Sequence, residues 1–448
     1  MPKSEIAGAS STVLAGAAVV DITPGGSVFL YGYPHVPRNS TGVHDALECA
    51  ALYLRSGEGQ VLFLANDLIF FDRDYVGMVR QRIMAATGIP PEAVMISATH
   101  THSGPVVANN LTNAADSVVP KADSRYLEWL AERMVLAARS AVGNAEKAVL
   151  GLGLARAEGV GTNRHDPQGP ADPEVPVLLV RSCASERPLA CMLIYGMHPT
   201  VLHEDSTLIS ADFPGFTRRW LRANVLGESC PVIYHLGAAG DQSPRHVTKA
   251  NTFAEAQRIG ENLGRCIATA IEGISCRPVG LVRGKRSWLE VRPRTFPSVQ
   301  EAKDGLARSR KVYEELREAK APRQAVRTAE CDVFGAEKTA LLAETAVDGR
   351  LAEAVRSASP AEIQVIQIGD WRFVGWPGEF FVEHALSLKA RAPVGTYVVT
   401  LANGQLQGYI ATPKAVEKAY YEATNAVFSV ENGPRFVEAT LDLIAGGR

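Results

Sequence analysis

Residues 94–107 read VMISATHTHSGPVV, a short apolar run that turns at once into a polar stretch carrying His100 and His102. On an extended segment, residues at i and i+2 point to the same side, with Thr101 between them pointing the other way. Both imidazoles can therefore reach one site, either as two metal ligands or as one ligand beside a proton-transferring neighbour. The plain alternative for an isolated His-x-His is a strand ending in two surface histidines. Three further runs follow the same plan of apolar strand and then polar terminus. Residues 191–195 lead into Gly196-Met197-His198-Pro199-Thr200, and residues 232–234 lead through His235 to Gly240-Asp241-Gln242-Ser243-Pro244. Residues 371–374 lead to Trp376-Pro377-Gly378-Glu379. Strand ends hold side chains rigidly. Two imidazoles and a carboxylate with one position left for water form a known catalytic zinc arrangement.

The elements that must position these residues alternate in type. Strands are expected near residues 13–20, 50–54, 61–65, 149–155 and 177–180, besides those just named. Helices are expected over 72–86, 126–142 and 254–271. A strand or hairpin pair is expected over 279–291, and Gly369-Asp370 is read as a two-residue hairpin turn between residues 363–368 and 371–374. The last clear strand is read over 397–401. Charged amphipathic stretches at 298–317 and 336–355, broken at Asp348-Gly349, are read as a helical hairpin packed outside the sheet with its charge in solvent. A helix through residue 388 and two more, at 415–421 and 435–444, complete the reading. The fold class expected is α/β: central mixed β-sheets flanked by helices, one compact catalytic domain over residues 1–448 with a helical excursion around 298–355.

Composition narrows the function. With 448 residues, 46% hydrophobic and 21% charged, and a formal net charge of −2, the chain is an ordinary globular protein without a basic block for nucleic acid or a polybasic membrane patch. Its 7 cysteines are scattered without Cys-x-x-Cys spacing, which argues against a disulfide framework or a thiolate zinc site. The N-terminal apolar run is short, preceded by Glu5, and continues into Asp21-Ile22-Thr23-Pro24, so a first strand is read there rather than a secretory signal. No run reaches transmembrane length. A cytoplasmic protein without stable membrane association is expected.

Several ordered motifs carry a resemblance. They are Asp21-Ile22-Thr23-Pro24, Thr99-His100-Thr101-His102-Ser103-Gly104-Pro105, Asn163-Arg164, Met197-His198-Pro199, Gly240-Asp241-x-Ser243-Pro244, Pro377-Gly378-Glu379, Tyr409-Ile410-x-Thr412 and Tyr421-Glu422-Ala423. In these the chain resembles the neutral/alkaline non-lysosomal ceramidase superfamily, catalytic domain only, without the additional C-terminal β-sandwich domain of its full-length members. The resemblance implies one Zn²⁺ held by His100, His198, Glu379 and Tyr409. It implies His102, Arg164 and Tyr421 around the substrate carbonyl, and Ser243 as a serine needed for catalysis. A tyrosine ligand would not have been inferred from spacing.

The function expected is hydrolysis of a carbon–nitrogen bond, linear amide or lactam, in a soluble small molecule. Zinc would lower the pKa of water and polarise the carbonyl, and His102 would move the proton. Ceramide or another N-acyl lipid, an ester or lactone, and a metal-containing binding protein without turnover are the alternatives. Arg245, with Arg164 and His246, points to a polar or anionic substrate. Among the remaining polar residues, Asp241 is expected to hold His198 or the Ser243 loop, or to serve the turn alone. His44, Asp45 and Asp67 are weighed as site-lining candidates. His203, His235 and His246 are read as core or surface residues with substrate contact as the alternative, and His35, His165 and His384 as structural or exposed.

Overall fold

The computed structural model describes residues 13–114 and 116–446; the residues before 13, ahead of the expected first strand, lie outside the described residues. Apolar runs pair first into an eight-stranded sheet in the order Val232–Leu236, Pro188–Tyr195, Glu174–Ser182, Glu146–Arg156, Val13–Asp21, Glu48–Ser56, Gly59–Asn66, Val94–Ala98. Its inner ladders are antiparallel, and only the outermost pair at each end is parallel. The strands that deliver His100 and His198 belong to these opposite parallel pairs. The sheet curls until its two edges face each other, and Ser97 on one edge strand bonds His235 on the other at 2.7 Å.

Residues 400–403 fill the seam between those edges. Thr400 N–H donates to Leu236 C=O (2.8 Å), Ala98 N–H to Leu401 C=O (3.3 Å), and Asn403 N–H to Ile96 C=O (2.7 Å). The side-chain oxygen of Asn403 accepts from Ile96 N–H at 2.9 Å. Leu401 and Asn403 sit at φ 48° and 65°, which ends the strand at Val399 rather than at residue 401. Asn tolerates this left-handed conformation readily, whereas Leu adopts it only where its surroundings impose it.

A second sheet orders Val282–Leu289, Ala361–Ile368, Trp371–Gly375 and Thr396–Val399, the last pair parallel. Its hairpin turns at Gly369, φ 56°, as read from the sequence. The expected pair of strands over 279–291 is instead the single strand Val282–Leu289, whose partner comes from 361–368 far along the chain. Two short strands, Gly378–Phe380 and Leu406–Ile410, run parallel with Glu379 opposite Tyr409.

Helix Phe253–Glu272 is capped by the Thr252 hydroxyl, which accepts from Glu255 N–H. It buries Ala256, Ile259, Leu263 and Ile267 against the sheet; full burial of such a large aliphatic side chain contributes about 1.5–3 kcal/mol. Beside it lies Asp212–Leu221, a helix the sequence reading missed because Pro214-Gly215 looks like a break; proline in the first helical turn displaces no hydrogen bond. A Cβ on Gly260 would stand 2.5 Å from Phe213 C=O, so glycine there permits the close crossing. The charged stretches form a hairpin of Val299–Glu318, opened by a Ser298–Glu301 capping box, and Arg323–Asp348. The second of these begins well before the expected residue 336. Gly349 (φ 87°) separates it from Arg350–Ala358. The expected helix over 415–421 is two short ones, Pro413–Glu417 and Tyr421–Asn425. Among the described residues, no helix is long and apolar enough to cross a membrane.

Candidate active site

Four side chains converge where the curled sheet meets the second one. His100 Nε2 lies 3.0 Å from His198 Nε2 and 3.3 Å from His102 Nε2. Glu379 Oε2 lies 3.3 Å from His100 Nε2 and 3.2 Å from His198 Nε2. The two histidines of the opening motif do face one site, but not by strand alternation. The strand stops at Ala98, and His100 takes φ 71°, a left-handed kink that sets its ring 4.8 Å from that of His102 at 88°. A non-glycine residue held there costs about 1–3 kcal/mol, a strain found mostly at functional sites.

Hydrogen bonds fix what two of these rings present. His100 Nδ1 lies 2.8 Å from Ile69 C=O, and His198 Nδ1 lies 2.6 Å from Ala239 C=O. A carbonyl oxygen only accepts, so each Nδ1 carries the proton and each Nε2 presents a lone pair to the centre. Arg164 Nη2, 2.7 Å from the same His198 Nδ1, is then a charge beside the ring rather than its donor. Burial first, and that guanidinium next, push the His198 pKa down to about 4, so the ring stays neutral near pH 7. Glu379 reaches the same centre from the short strand Gly378–Phe380. Its Oε2 is buried with no hydrogen-bond donor.

Lone pairs of His100, His198 and Glu379 thus face one another 3.0–3.3 Å apart with no proton between them. A cation resolves that conflict. Ligands about 2.0–2.1 Å from a tetrahedral zinc ion stand roughly 3.3 Å from one another, so the donor set fits the ion. His100, His102 and His198 alone also form a group that could hold a metal ion. His102 differs from the other two: its Nδ1 is buried with no partner, and burial, then the neighbouring His100 and His198, lower its pKa well below the usual value.

The remaining residues named from the sequence surround this centre. Tyr409 faces Glu379 across the short parallel ladder, with its ring 6.5 Å from that of His198. Burial and then Glu379 raise its phenol well above the ordinary value. Tyr421 packs edge-on against Tyr409 at 6.3 Å. Arg164 and Ser243 come together because Thr162–Asn163 pairs with Gln242–Ser243. Asp241 ties this unit down, accepting from the Asn163 amide (2.7 Å) and from Val382 N–H (2.9 Å) just beyond Glu379. The Ser243 hydroxyl accepts from Arg245 N–H, and among the described residues no histidine or carboxylate bonds it as a base.

His102, Arg164, His198, Ser243, Tyr409 and Tyr421 all line a cleft of about 2180 Å³, with His100 and Glu379 beneath its floor. Its opposite wall is the helical hairpin. The hairpin's charge was read as solvated, yet Arg308, Arg327, Glu330 and Asp332 line the cleft.

Glu422 is the main residue the sequence reading left without a role. Buried, it pairs with Arg164 (3.0 Å) and His165 (2.7 Å), and His165 stacks on Tyr420 at 3.7 Å. Burial would lower the Arg164 pKa, but Glu422, Tyr409 and Glu379 together outweigh it and keep the guanidinium charged. The adjacent Tyr421-Glu422 in the quoted motif was its only signal. His203 and His246 line the cleft, while His235 is core. His384 is buried, its Nε2 bonded to Ala411 C=O, and His35 lies between Asp116 and Glu337. Asp67 forms a buried pair with Arg218 (2.5 Å), and Asp45 accepts from His44, Ser210 and Ala211. These three candidates brace the strand ends beside the site.

No protein-family model matches the sequence, and no curated protein matches it. Solved structures do match, two ceramidases among them. A neutral ceramidase from Pseudomonas aeruginosa overlays with a TM-score of 0.74 at 18% identity, covering 98% of this chain and 75% of that one. A ceramidase complexed with C2 gives 0.74 at 15% identity, covering 96% and 74%. At such identities the likeness is one of fold, and over nearly its whole length the chain has the mixed α/β fold of those ceramidase structures.

Proposed function

We propose that this chain is a zinc-dependent hydrolase of amide or lactam bonds in soluble small molecules, with residues 1–448 forming one catalytic domain. The observation that carries the reading is the convergence of lone pairs from His100, His198 and Glu379, two of them tautomerically fixed, at the floor of an open cleft. The fold shared with ceramidases, which act on an amide, supports the same chemistry. Tyr409, opposite Glu379, completes the proposed ligand set.

His100, His198, Glu379 and Tyr409 would hold the zinc ion, which would supply Lewis acidity to a water and to the scissile carbonyl. His102 takes the proton released by the attacking water and hands it to the leaving nitrogen. Arg164, kept charged by Glu422, Tyr409 and Glu379 together, and the Tyr421 hydroxyl, kept protonated by burial, donate to the developing oxyanion. Ser243 lacks a base and orients the amide or the water. The cleft lining carries charge of both signs, with Arg245, Lys249 and Arg308 beside Glu204, Glu330 and Asp332, which favours a charged or polar amide over an acyl lipid.

Metal analysis and turnover of a panel of amides, lactams, esters and ceramide, with and without chelator, test the reading. Stoichiometric zinc and chelator-sensitive amide turnover are expected. Metal-free protein, or His198→Ala without effect, would overturn it.

A further inference from the structure

The loop rich in glycine, tyrosine and proline at residues 24–40 has no part in the chemistry above, yet it is docked along the His102–Pro105 segment. Leu30 bridges to Pro105. Tyr31 N–H donates to Gly104 C=O at 3.0 Å. Arg38, 1% exposed, donates to His102 C=O at 2.8 Å and lies 5.0 Å over the Tyr33 ring. Gly32, at φ +126°, lies flat against the His102 ring, and a Cβ there would run into its Nδ1, Cγ and Cβ atoms. The Tyr33 ring packs 5.2 Å from the His102 ring and is anchored by its hydroxyl to Leu202 C=O at 2.7 Å.

This matters because His102 lacks the device that orients the other two histidines. Each of them is pinned by an Nδ1–H bond to a carbonyl; the His102 Nδ1 has no partner. From this steric enclosure we infer that Gly32 and Tyr33 are positioning residues that set the His102 ring by packing, with Arg38 fixing its backbone. The inference rests on the hydrolase reading for its catalytic consequence. The enclosure itself does not. Packing leaves the ring free of a polar tether at one nitrogen, so the rotamer, and with it the reach of Nε2, is decided by the shape of the Gly32 face and the Tyr33 ring.

The test uses the full chain loaded with zinc and the best amide of the panel. Gly32→Ala and Tyr33→Ala should each lower kcat by about 10- to 100-fold, the scale of an ångström-sized misplacement of a catalytic group, with KM and zinc content unchanged. Tyr33→Phe keeps the ring and should recover most of the loss. A rise in KM with kcat preserved would overturn the inference, as would equal losses in Tyr33→Phe and Tyr33→Ala. A second measurement needs no turnover. Gly32→Ala should lower the melting midpoint of the wild type more than that of His102→Ala, where the obstructing ring is gone. Equal drops in both backgrounds would refute the contact. Coupled midpoints in a protein that turns over no amide would leave the positioning intact and sink the hydrolase reading instead.

Discussion

Glu379→Gln separates the needs of the fold from those of the metal. In the metal-free protein, Glu379 Oε2 is a buried acceptor without a donor, facing two further lone pairs at 3.2 and 3.3 Å. Leaving such a group unsatisfied costs about 1–3 kcal/mol. The glutamine amide has the same shape and supplies N–H donors that can reach either Nε2. The metal-free variant should therefore be more stable than the wild type by about 1–2 kcal/mol. Unfolding entropy of roughly 2.1 cal/mol/K per residue, over a chain of this length, gives about 0.9 kcal/mol per kelvin, so the midpoint should rise by about 1–2 °C. Zinc at a hundredfold excess over its Kd adds about 2.7 kcal/mol to the wild type, or about 3 °C; a variant whose Kd has risen a hundredfold gains only about 0.4 kcal/mol. Calorimetry with chelator and with added zinc reads both quantities. An unchanged zinc increment would show that Glu379 is no ligand. A lower metal-free midpoint would show that the carboxylate is held by protonated imidazoles and that the lone-pair argument is wrong.

Three further outcomes follow from the same geometry. Ser243→Ala should lower kcat by about tenfold, the loss of one neutral hydrogen bond; a loss of 10⁴ or more in steady-state assays would make Ser243 a nucleophile. Glu422→Gln leaves the Arg164 charge buried without its counter-charge and should cost about 3–5 kcal/mol in denaturant unfolding; a cost below about 1 kcal/mol would mean that water screens the pair. The buried His235 has its pKa pushed down to about 3 by burial. The unfolded chain therefore binds the proton first, and the stability present above about pH 6.5 is lost as pH falls towards 3. His235→Gln, still able to bond Ser97, should flatten melting midpoint against pH over that window; an unchanged slope would assign the acid lability elsewhere.

What the sequence made legible was the strand ends. His100, His198, Ser243 and Glu379 each follow an apolar run that folds as a strand or leads directly into one, because a buried run and its polar terminus leave a local signature. The convergence of these ends was not local. The curl that brings Ser97 to His235 depends on residues 400–403, whose left-handed turns at Leu401 and Asn403 have no composition cue. The helix Asp212–Leu221 was hidden by Pro214 and Gly215, since its proline occupies a position where the missing N–H costs nothing. Glu422 carried no signal beyond its place in the Tyr421-Glu422-Ala423 motif, because a single carboxylate reads like any surface acid until its partners are seen. The charge of the hairpin was legible, but not its direction: an amphipathic pattern tells which face is polar, not whether that face looks into bulk water or across a cleft.

The wedge at residues 400–403 has a bearing on how the centre acquires its ion. His100 and His198 stand 98 residues apart in sequence, on strands joined through the opposite edges of one sheet. The entropy of bringing them together is met by the fold, not by coordination. On the proposed reading, metal capture would be uncoupled from chain collapse, unlike in the small zinc domains that fold only around their ion. An ion held there could leave and be replaced while the backbone stays put. Selection among competing cations then falls to the fixed spacing of the three acceptors, a gauge that rewards small ions with a taste for imidazole and turns larger, oxygen-seeking ones away.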